Sequence, residues 1–389
     1  GYPGVPGAAS GSGVGTYLRE ITRGLASQGH ECHVVVWSES DAARRLPGVV
    51  EPSSCIEGVH IHPLAHAYWP VIERWAPDSR DAHNLRSRVR ALDRAHGYDW
   101  IELQSEEGIG LGVQNDFPGK VILRIHTTLS QMVAYKQVPP SWAVRRRLAR
   151  EAGSFLKARR VVTHSRLHAE ELQRLFPCLR RIDVVPHGID VPSVSRGPAA
   201  GGSADESGKE PAFLIIGTTD RRKGADRIRQ ALEAYAARHG RCRAVIVSRC
   251  DDETKRAFNL MPPWPRAVKV DWRGEIAETA LREEYAEASV LLHLARYESF
   301  GLPLIEAAAA GLPVVATRVG IAPDLLGGEL ERLLIDGDDA AAVADALALA
   351  VGKSEQFGTA LRRRYEQSYT RRAMVDAYLT VIARYANPN

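Results

Sequence analysis

Arg296-Tyr297-Glu298-Ser299-Phe300-Gly301-Leu302-Pro303-Leu304-Ile305-Glu306 runs into four alanines, 307–310, and then into Gly311-Leu312-Pro313-Val314-Val315. The stretch reads as a turn feeding a helix N-terminus, a short helix and a buried strand. Pro303 suits the first helical position, where a backbone N–H would lack an acceptor anyway. Gly311 suits the position just past the helix end, and Pro313 bars continuation. The amides of Gly301, Leu302 and the first helical residues then point into open space. With the helix dipole behind them they form an anion site. Glu298 precedes the helix and Glu306 lies within it. Two carboxylates beside an anion site suit a ligand with both phosphates and hydroxyl groups, such as a sugar nucleotide. The competing reading is a plain surface turn and amphipathic helix. The Gly-Leu-Pro turn, the Ala-rich helix and the strand after it together weigh against that.

Outward from this stretch, apolar strand-like runs alternate with helical patterns. Residues 32–37, 100–103, 121–125, 161–164 and 182–185 read as strands, and 17–28, 86–96, 143–158 and 168–176 as helices. A second series of strands reads over 213–216, 244–247, 268–272, 290–294 and 314–316. Such alternation implies parallel sheets covered by helices, an α/β fold. At 389 residues the chain can hold two separate cores. Residues 193–211 include Arg196-Gly197-Pro198-Ala199-Ala200-Gly201-Gly202-Ser203, the composition of a linker. The expected division is therefore a first domain at 1–192, the linker at 193–211, a second domain at 212–370 and a helical tail at 371–389.

Glu298 and Glu306, spaced around Phe300-Gly301-Leu302-Pro303, resemble the signature of retaining glycosyltransferases of family 4. The resemblance implies the GT-B fold: two doubly wound Rossmann-like domains facing a cleft, with a C-terminal helix crossing back to the N-terminal domain. It implies that Glu298 contacts the donor sugar and Glu306 the nucleotide ribose. Phe300, Gly301 and Leu302 would bring backbone to the sugar and diphosphate. Members of the family open with a strand before a glycine-rich loop. Here Tyr2-Pro3-Gly4-Val5-Pro6 stands where that strand should have ended. The first strand is expected to be missing, through truncation or a differently built sheet.

Three further loops carry candidate groups. Gly11-Ser12-Gly13-Val14-Gly15 precedes a helix and is similar to the family's glycine loop. Ser12 stands where a Gly is usual, so Gly13 and Val14 are the candidates for donor contact. Gly217-Thr218-Thr219-Asp220-Arg221-Arg222-Lys223-Gly224 follows a strand, and ligands gather at the carboxyl edge of parallel sheets. Lys223 matches the family's diphosphate-neutralising lysine. Thr218 replaces the family's arginine, which Arg221 or Arg222 would make good. Arg124-Ile125-His126-Thr127-Thr128 closes another strand. His126 matches the family's histidine near the transferred sugar, with Thr127 in place of an aspartate. Val185-Pro186-His187-Gly188-Ile189-Asp190 resembles a structural turn of the family, with His for Asn.

The bulk numbers exclude several classes. With 44% hydrophobic and 25% charged residues the composition is that of an ordinary globular enzyme, and a net charge of +4 does not call for nucleic acid. Five cysteines, an odd number without a CxxC, fit neither zinc spacing nor a disulfide framework. No apolar run approaches the length of a membrane span, and a cytoplasmic location is expected. Asp251-Asp252-Glu253 and Asp336-Gly337-Asp338-Asp339 read as solvated acidic turns, and no metal or resident cofactor is expected. His60, His62, His66, Tyr68, Trp69 and Trp75 fall in a segment read as irregular. His66, Tyr68 and Trp69 are the acceptor candidates there, because aromatic rings stack on sugars. The basic stretch 142–160 reads first as a solvated helix. Peripheral contact with the inner face of an anionic membrane is its second reading.

The resemblance implies transfer of a sugar from a nucleotide-diphosphate donor to a hydroxyl acceptor, with Lys223 and the helix-end amides carrying the leaving charge. Two other readings remain: an epimerase of the same fold, which needs no acceptor, and a non-catalytic sugar-nucleotide-binding protein.

Overall fold

The protein is described here from a computed structural model. It covers residues 13–37, 54–64, 77–136, 139–191, 210–217 and 220–386, without the side chains of 77–80 and 136. The expected leading strand, Gly11 and Ser12, the acceptor candidates His66, Tyr68 and Trp69, Trp75, Thr218 and most of the linker lie outside the described residues. The chain divides into two compact units. The first comprises 1–164, 168–188 and 371–389, and the second 165–167 and 189–370.

The first unit contains the helices α1 (Gly13–Ser27), α2 (Pro77–His96), α3 (Leu111–Asp116), α4 (Leu129–Lys136) and α5 (Trp142–Lys157). Helix α6 (Arg166–Leu175) follows. Its strands are β1 (Cys32–Trp37), β2 (Ser54–Ile56), β3 (Val59–Leu64), β4 (Ile101–Gln104), β5 (Val121–Arg124), β6 (Val161–Thr163) and β7 (Asp183–Val184). Among the described residues they form two sheets, in the orders β1-β3-β2 and β4-β5-β6-β7. The segment read as irregular corrects to a strand through His60 and His62. Strand β3 runs parallel to β1, with His33 opposite His60 and Val35 opposite His62. The sequence reading missed it because histidines break the apolar pattern, although Val59, Ile61 and Leu64 are all buried.

The second unit contains β8 (Ala212–Ile216), α7 (Ala225–His239), β9 (Cys242–Val247), α8 (Asp252–Ala257), β10 (Val268–Trp272), α9 (Glu278–Glu287), β11 (Val290–His293), α10 (Leu302–Ala310), β12 (Val314–Thr317), α11 (Ala322–Leu326), β13 (Leu334–Ile335), α12 (Ala340–Gly352) and α13 (Ser354–Ser368). Its strands form one parallel sheet in the order β10-β9-β8-β11-β12-β13. The central strands β11 and β12 are buried along their whole length, as expected of strands covered on both faces. The acidic turns are structural. Asp251 accepts from the Thr254 N–H at 2.7 Å, Asp339 from the Ala342 N–H at 3.0 Å, and Asp338 pairs with Arg227 at 2.6 Å.

A last helix, α14 (Arg371–Ala386), belongs to the first unit. Its Met374, Val375, Tyr378 and Val381 share a core with Tyr17 and Ile21 of α1, Ile122 of β5 and Val162 of β6. Tyr385, packed against that core, donates to the Asp183 carboxylate at 2.7 Å. All five cysteines are unbridged thiols. No helix among the described residues is long and apolar enough to cross a membrane.

Candidate active site

Lys223 and Glu298 are 75 positions apart in the chain and form an ion pair. The sheet order explains the meeting, since β8 and β11 are neighbours and both residues lie in loops that leave their carboxyl ends. Asp220 starts a 3-10 turn over Arg221–Lys223 by accepting from the Lys223 N–H at 2.9 Å. The two loops are tied by backbone: the Arg296 N–H donates to the Arg222 carbonyl at 2.7 Å. The Arg296 guanidinium donates to the Arg221 carbonyl at 3.0 Å and to Asp226 at 2.5 Å. Gly224 makes the close approach feasible. Its φ is +75°, and a β-carbon there would fall on the Leu294 carbonyl oxygen.

The Lys223 and Glu298 side chains keep 23% and 11% of their exposure, so the pair is sheltered yet reachable by a ligand. Burial pushes the Lys223 ammonium down to about 8, with Arg222 adding to the shift and Asp220 opposing it. Contact with the Glu298 carboxylate favours the charged form, so Lys223 is a cation at neutral pH. His293, the last residue of β11, was not singled out from the sequence. Its Nε2 lies 3.9 Å from the Glu298 carboxylate. Burial, together with the Lys223 and Arg222 charges, lowers its pKa to about 3 and keeps it neutral. A polar residue ending an otherwise apolar strand was the available signal.

Gly301 caps α10 at φ +99° and offers no side chain to the first amides of the helix. With Pro303 in the first turn, the donors expected from the sequence are those of the helix end. The Phe300 ring, by contrast, is 3% exposed and sits in the core of the unit, so this residue offers backbone and not its ring. Leu302 is half-buried at the helix start. Arg222 lies 3.6 Å from Asp220, whereas the Arg221 side chain is exposed.

Glu306 of α10 has a partner of its own. Its carboxylate accepts from the Tyr285 hydroxyl of α9 at 2.6 Å. Burial raises the Glu306 carboxyl, and the Tyr285 hydrogen bond opposes that rise. Tyr285 is 4% exposed, and burial with the adjacent carboxylate lifts its phenol well above the usual range. It is thus a fixed donor that orients Glu306. No sequence motif pointed to it.

In the first unit, Gly13 and Val14 are the first two residues of α1 and not part of a loop, as the sequence reading had them. His126 follows β5, and its Nε2 shares a 2.6 Å hydrogen bond with the Gln104 oxygen of β4. Gln104 in turn donates to Glu102, which accepts from the Tyr17 hydroxyl at 2.9 Å. The fully buried Arg124 guanidinium lies 4.3 Å over the Tyr17 ring. Burial, then the Arg124 charge and His168, hold His126 well below the usual imidazole range. His126, His164 and His187 bring one ring nitrogen each within 4.8 Å of the others. The turn read mainly as structural therefore adds His187 to the neighbourhood of His126.

Two family models match the chain: "Glycosyltransferase Family 4" over residues 11–192 and "Glycosyl transferases group 1" over residues 202–368. A D-inositol 3-phosphate glycosyltransferase of Xylanimonas cellulosilytica is 26% identical, over 97% of this chain and 94% of its own. Among solved structures, sucrose-phosphate synthase from Thermosynechococcus elongatus superposes with a TM-score of 0.71 at 21% identity, covering 100% of this chain and 97% of its own. HepE of Anabaena, solved with UDP and glucose, has a TM-score of 0.66 at 14% identity, covering 97% of each chain. The two family matches, separated only by residues 193–201, together leave little of the sequence uncovered, and the fold is that of these enzymes: the chain belongs to the family 4 type of glycosyltransferases, with the GT-B fold.

Proposed function

We propose that this glycosyltransferase is a retaining enzyme, moving a sugar from a nucleotide-diphosphate donor to an acceptor hydroxyl on a natural product, glycan or lipid. The observation that carries the proposal is the Lys223–Glu298 pair at the carboxyl edge of β8 and β11, in the loop that leads to the Gly301 helix cap. Breaking the anomeric C–O bond builds negative charge on the leaving diphosphate and positive charge on the sugar. Lys223, with Arg221 or Arg222, and the amides after Gly301 would meet the first. Preorganised charge of this kind is usually the largest catalytic contribution. Glu298 would orient the sugar as it gives up Lys223, and His126 would contact it. Glu306, aimed by Tyr285, would hold the ribose hydroxyls. Gly13 and Val14 would offer backbone amides to the donor. In this scheme a phosphate oxygen of the donor receives the acceptor's proton, and neither a resident metal nor a cofactor takes part.

The names of its relatives suggest where to begin. A polyol phosphate is the first acceptor to try, and a UDP-sugar the first donor. Incubating the protein with UDP-, GDP- and ADP-sugars, with and without acceptor, tests the reading. Transfer with retained anomeric configuration supports it. Sugar inversion without acceptor would instead establish an epimerase, and binding without turnover a non-catalytic binder. Membrane contact through residues 142–160 is the second part of the proposal. Trp142 and Leu156 of α5 are 63% and 71% exposed, and Arg146 lies 4.9 Å from the Trp142 ring. Sedimentation with anionic but not neutral vesicles, lost in Trp142→Ala, is the expected outcome. A cytoplasmic site of action goes with this proposal.

A further inference from the structure

Apart from the candidate active site, the first unit gathers a second group of metal-ligating side chains. Glu31 stands just before β1, His33 is its second residue, and His96 ends α2. One ligand atom from each lies within 4.8 Å of the other two. The Glu31 carboxylate oxygen is 2.8 Å from His33 Nε2 and 3.3 Å from His96 Nδ1. Tetrahedral coordination at zinc-like bond lengths separates ligand atoms by about 3.4 Å. A small opening of the cluster would therefore admit an ion.

Three observations favour a site over a chance surface contact. First, the other nitrogen of His33 is taken: its Nδ1 shares a 2.9 Å hydrogen bond with His62 Nε2. Metal-ligating histidines have such a partner, which fixes the tautomer and the ring. The His62 ring is fully buried on β3, and its own Nδ1 has no hydrogen bond. Second, His33 is packed on several sides, with ring centroids at 4.3 Å to His96, 4.6 Å to His60 and 5.2 Å to Tyr98. Its orientation is set before any ion arrives. Third, His96 lies at the C-terminal end of a 20-residue helix, where the dipole favours a cation.

We infer that Glu31, His33 and His96 form a binding site for a divalent cation of the zinc class, oriented by His62. Two imidazole nitrogens and one carboxylate oxygen suit zinc better than calcium or magnesium. Water completes the coordination, because the Glu31 side chain is 62% exposed. The strand beginnings at β1 and β3 are the opposite end from the carboxyl edge that binds ligands in such sheets. The ion ties the end of α2 to the start of β1 and acts on stability rather than on sugar transfer. The His126–His164–His187 group is the rival location. It is the weaker one, because the buried Arg124 guanidinium acts on all three of its rings.

The test is a titration of the full, tag-free chain with Co2+ and with Zn2+, read by Co2+ d–d absorption, calorimetry and thermal midpoint. One Co2+ per chain with a tetrahedral spectrum is expected, displaced by Zn2+, together with a higher midpoint that chelator reverses. Glu31→Gln and His96→Gln, both at accessible positions, should abolish binding while far-UV circular dichroism stays unchanged. His62→Leu should weaken it roughly 10- to 100-fold, the effect of losing an outer partner. His164→Ala should leave it intact. No stoichiometric uptake at micromolar protein would overturn the inference. So would uptake that survives Glu31→Gln and His96→Gln but is lost in His164→Ala. Sugar transfer does not enter the readout, so the result stands whatever the donor and acceptor prove to be.

Discussion

Glu298→Gln should affect nucleotide binding and sugar transfer in opposite directions. In the unliganded protein the Lys223 ammonium is held by Glu298. If Lys223 receives the donor as proposed, a nucleoside diphosphate must draw that cation away from its partner. Exposed ion pairs are worth about 0.2–1 kcal/mol, whereas breaking a fully buried pair costs about 3–5 kcal/mol. With side-chain exposures of 23% and 11% this pair falls between the two. Removing the competing carboxylate should therefore release about 1–2 kcal/mol to the diphosphate, on the order of 5- to 30-fold in its dissociation constant. On the proposed reading the same change removes the group that would orient the sugar, so transfer should fall by about a hundredfold. Lys223→Gln should lose both, with diphosphate binding weakened by about 1.5–3 kcal/mol, the worth of a hydrogen bond to a charged group. Calorimetric titration with UDP, GDP and ADP, beside a transfer assay on the same preparations, reads both quantities. If Glu298→Gln weakened diphosphate binding as much as Lys223→Gln does, competition between carboxylate and diphosphate for one ammonium would be refuted.

Other outcomes follow from neighbouring groups. Tyr285→Phe removes the hydrogen-bond donor to Glu306 seen here and should weaken nucleotide binding less than tenfold, while Glu306→Gln should weaken it by about 10- to 100-fold; titration of nucleoside diphosphates checks both. Because Lys223 titrates near 8, kcat/KM should fall as pH rises through that value, and Lys223→Gln should erase that limb of the profile. The sign for stability is opposite. Between about pH 8 and 10.5 the unfolded chain binds the proton that folded Lys223 has lost, so this group's contribution to stability grows with pH across that window. Gly224→Ala should destabilise the second unit by roughly 1–3 kcal/mol and abolish transfer, read as a lower thermal midpoint and loss of product. Gly217→Ala, also at positive φ but with no atom of the described residues within 4 Å of the added β-carbon, should lower the midpoint less.

Helix α10 was legible because Pro303, Gly301 and Gly311 each satisfy a specific backbone demand. The apolar strands of the second unit were legible for a related reason: burial on both faces leaves β11 and β12 apolar up to their last residues, His293 and Thr317. What the sequence could not disclose depends on strand order. Nothing in the chain announces that β8 lies beside β11, and so nothing announces that Lys223 would reach Glu298. Tyr285 escaped notice because its value lies in one hydroxyl aimed across from a neighbouring helix. The strand through His60 and His62 was missed because imidazoles stand where apolar residues mark a strand, and their packing partner, His33, comes from another strand.

Helix α14 places a constraint on biosynthesis. Four of the apolar side chains that close the core over Tyr17, Ile122 and Val162 are translated after the entire second unit. While the ribosome is still making that second unit, the nascent first unit has an uncovered greasy flank on α1 and β5. The later segment can therefore be folded before the earlier one is finished, the reverse of the usual vectorial order. A nonsense codon ahead of Arg371 would spare the loops of Lys223 and Glu298 and still strip the lining from the other half, yielding a chain whose vulnerability to proteolysis lies far from its stop site.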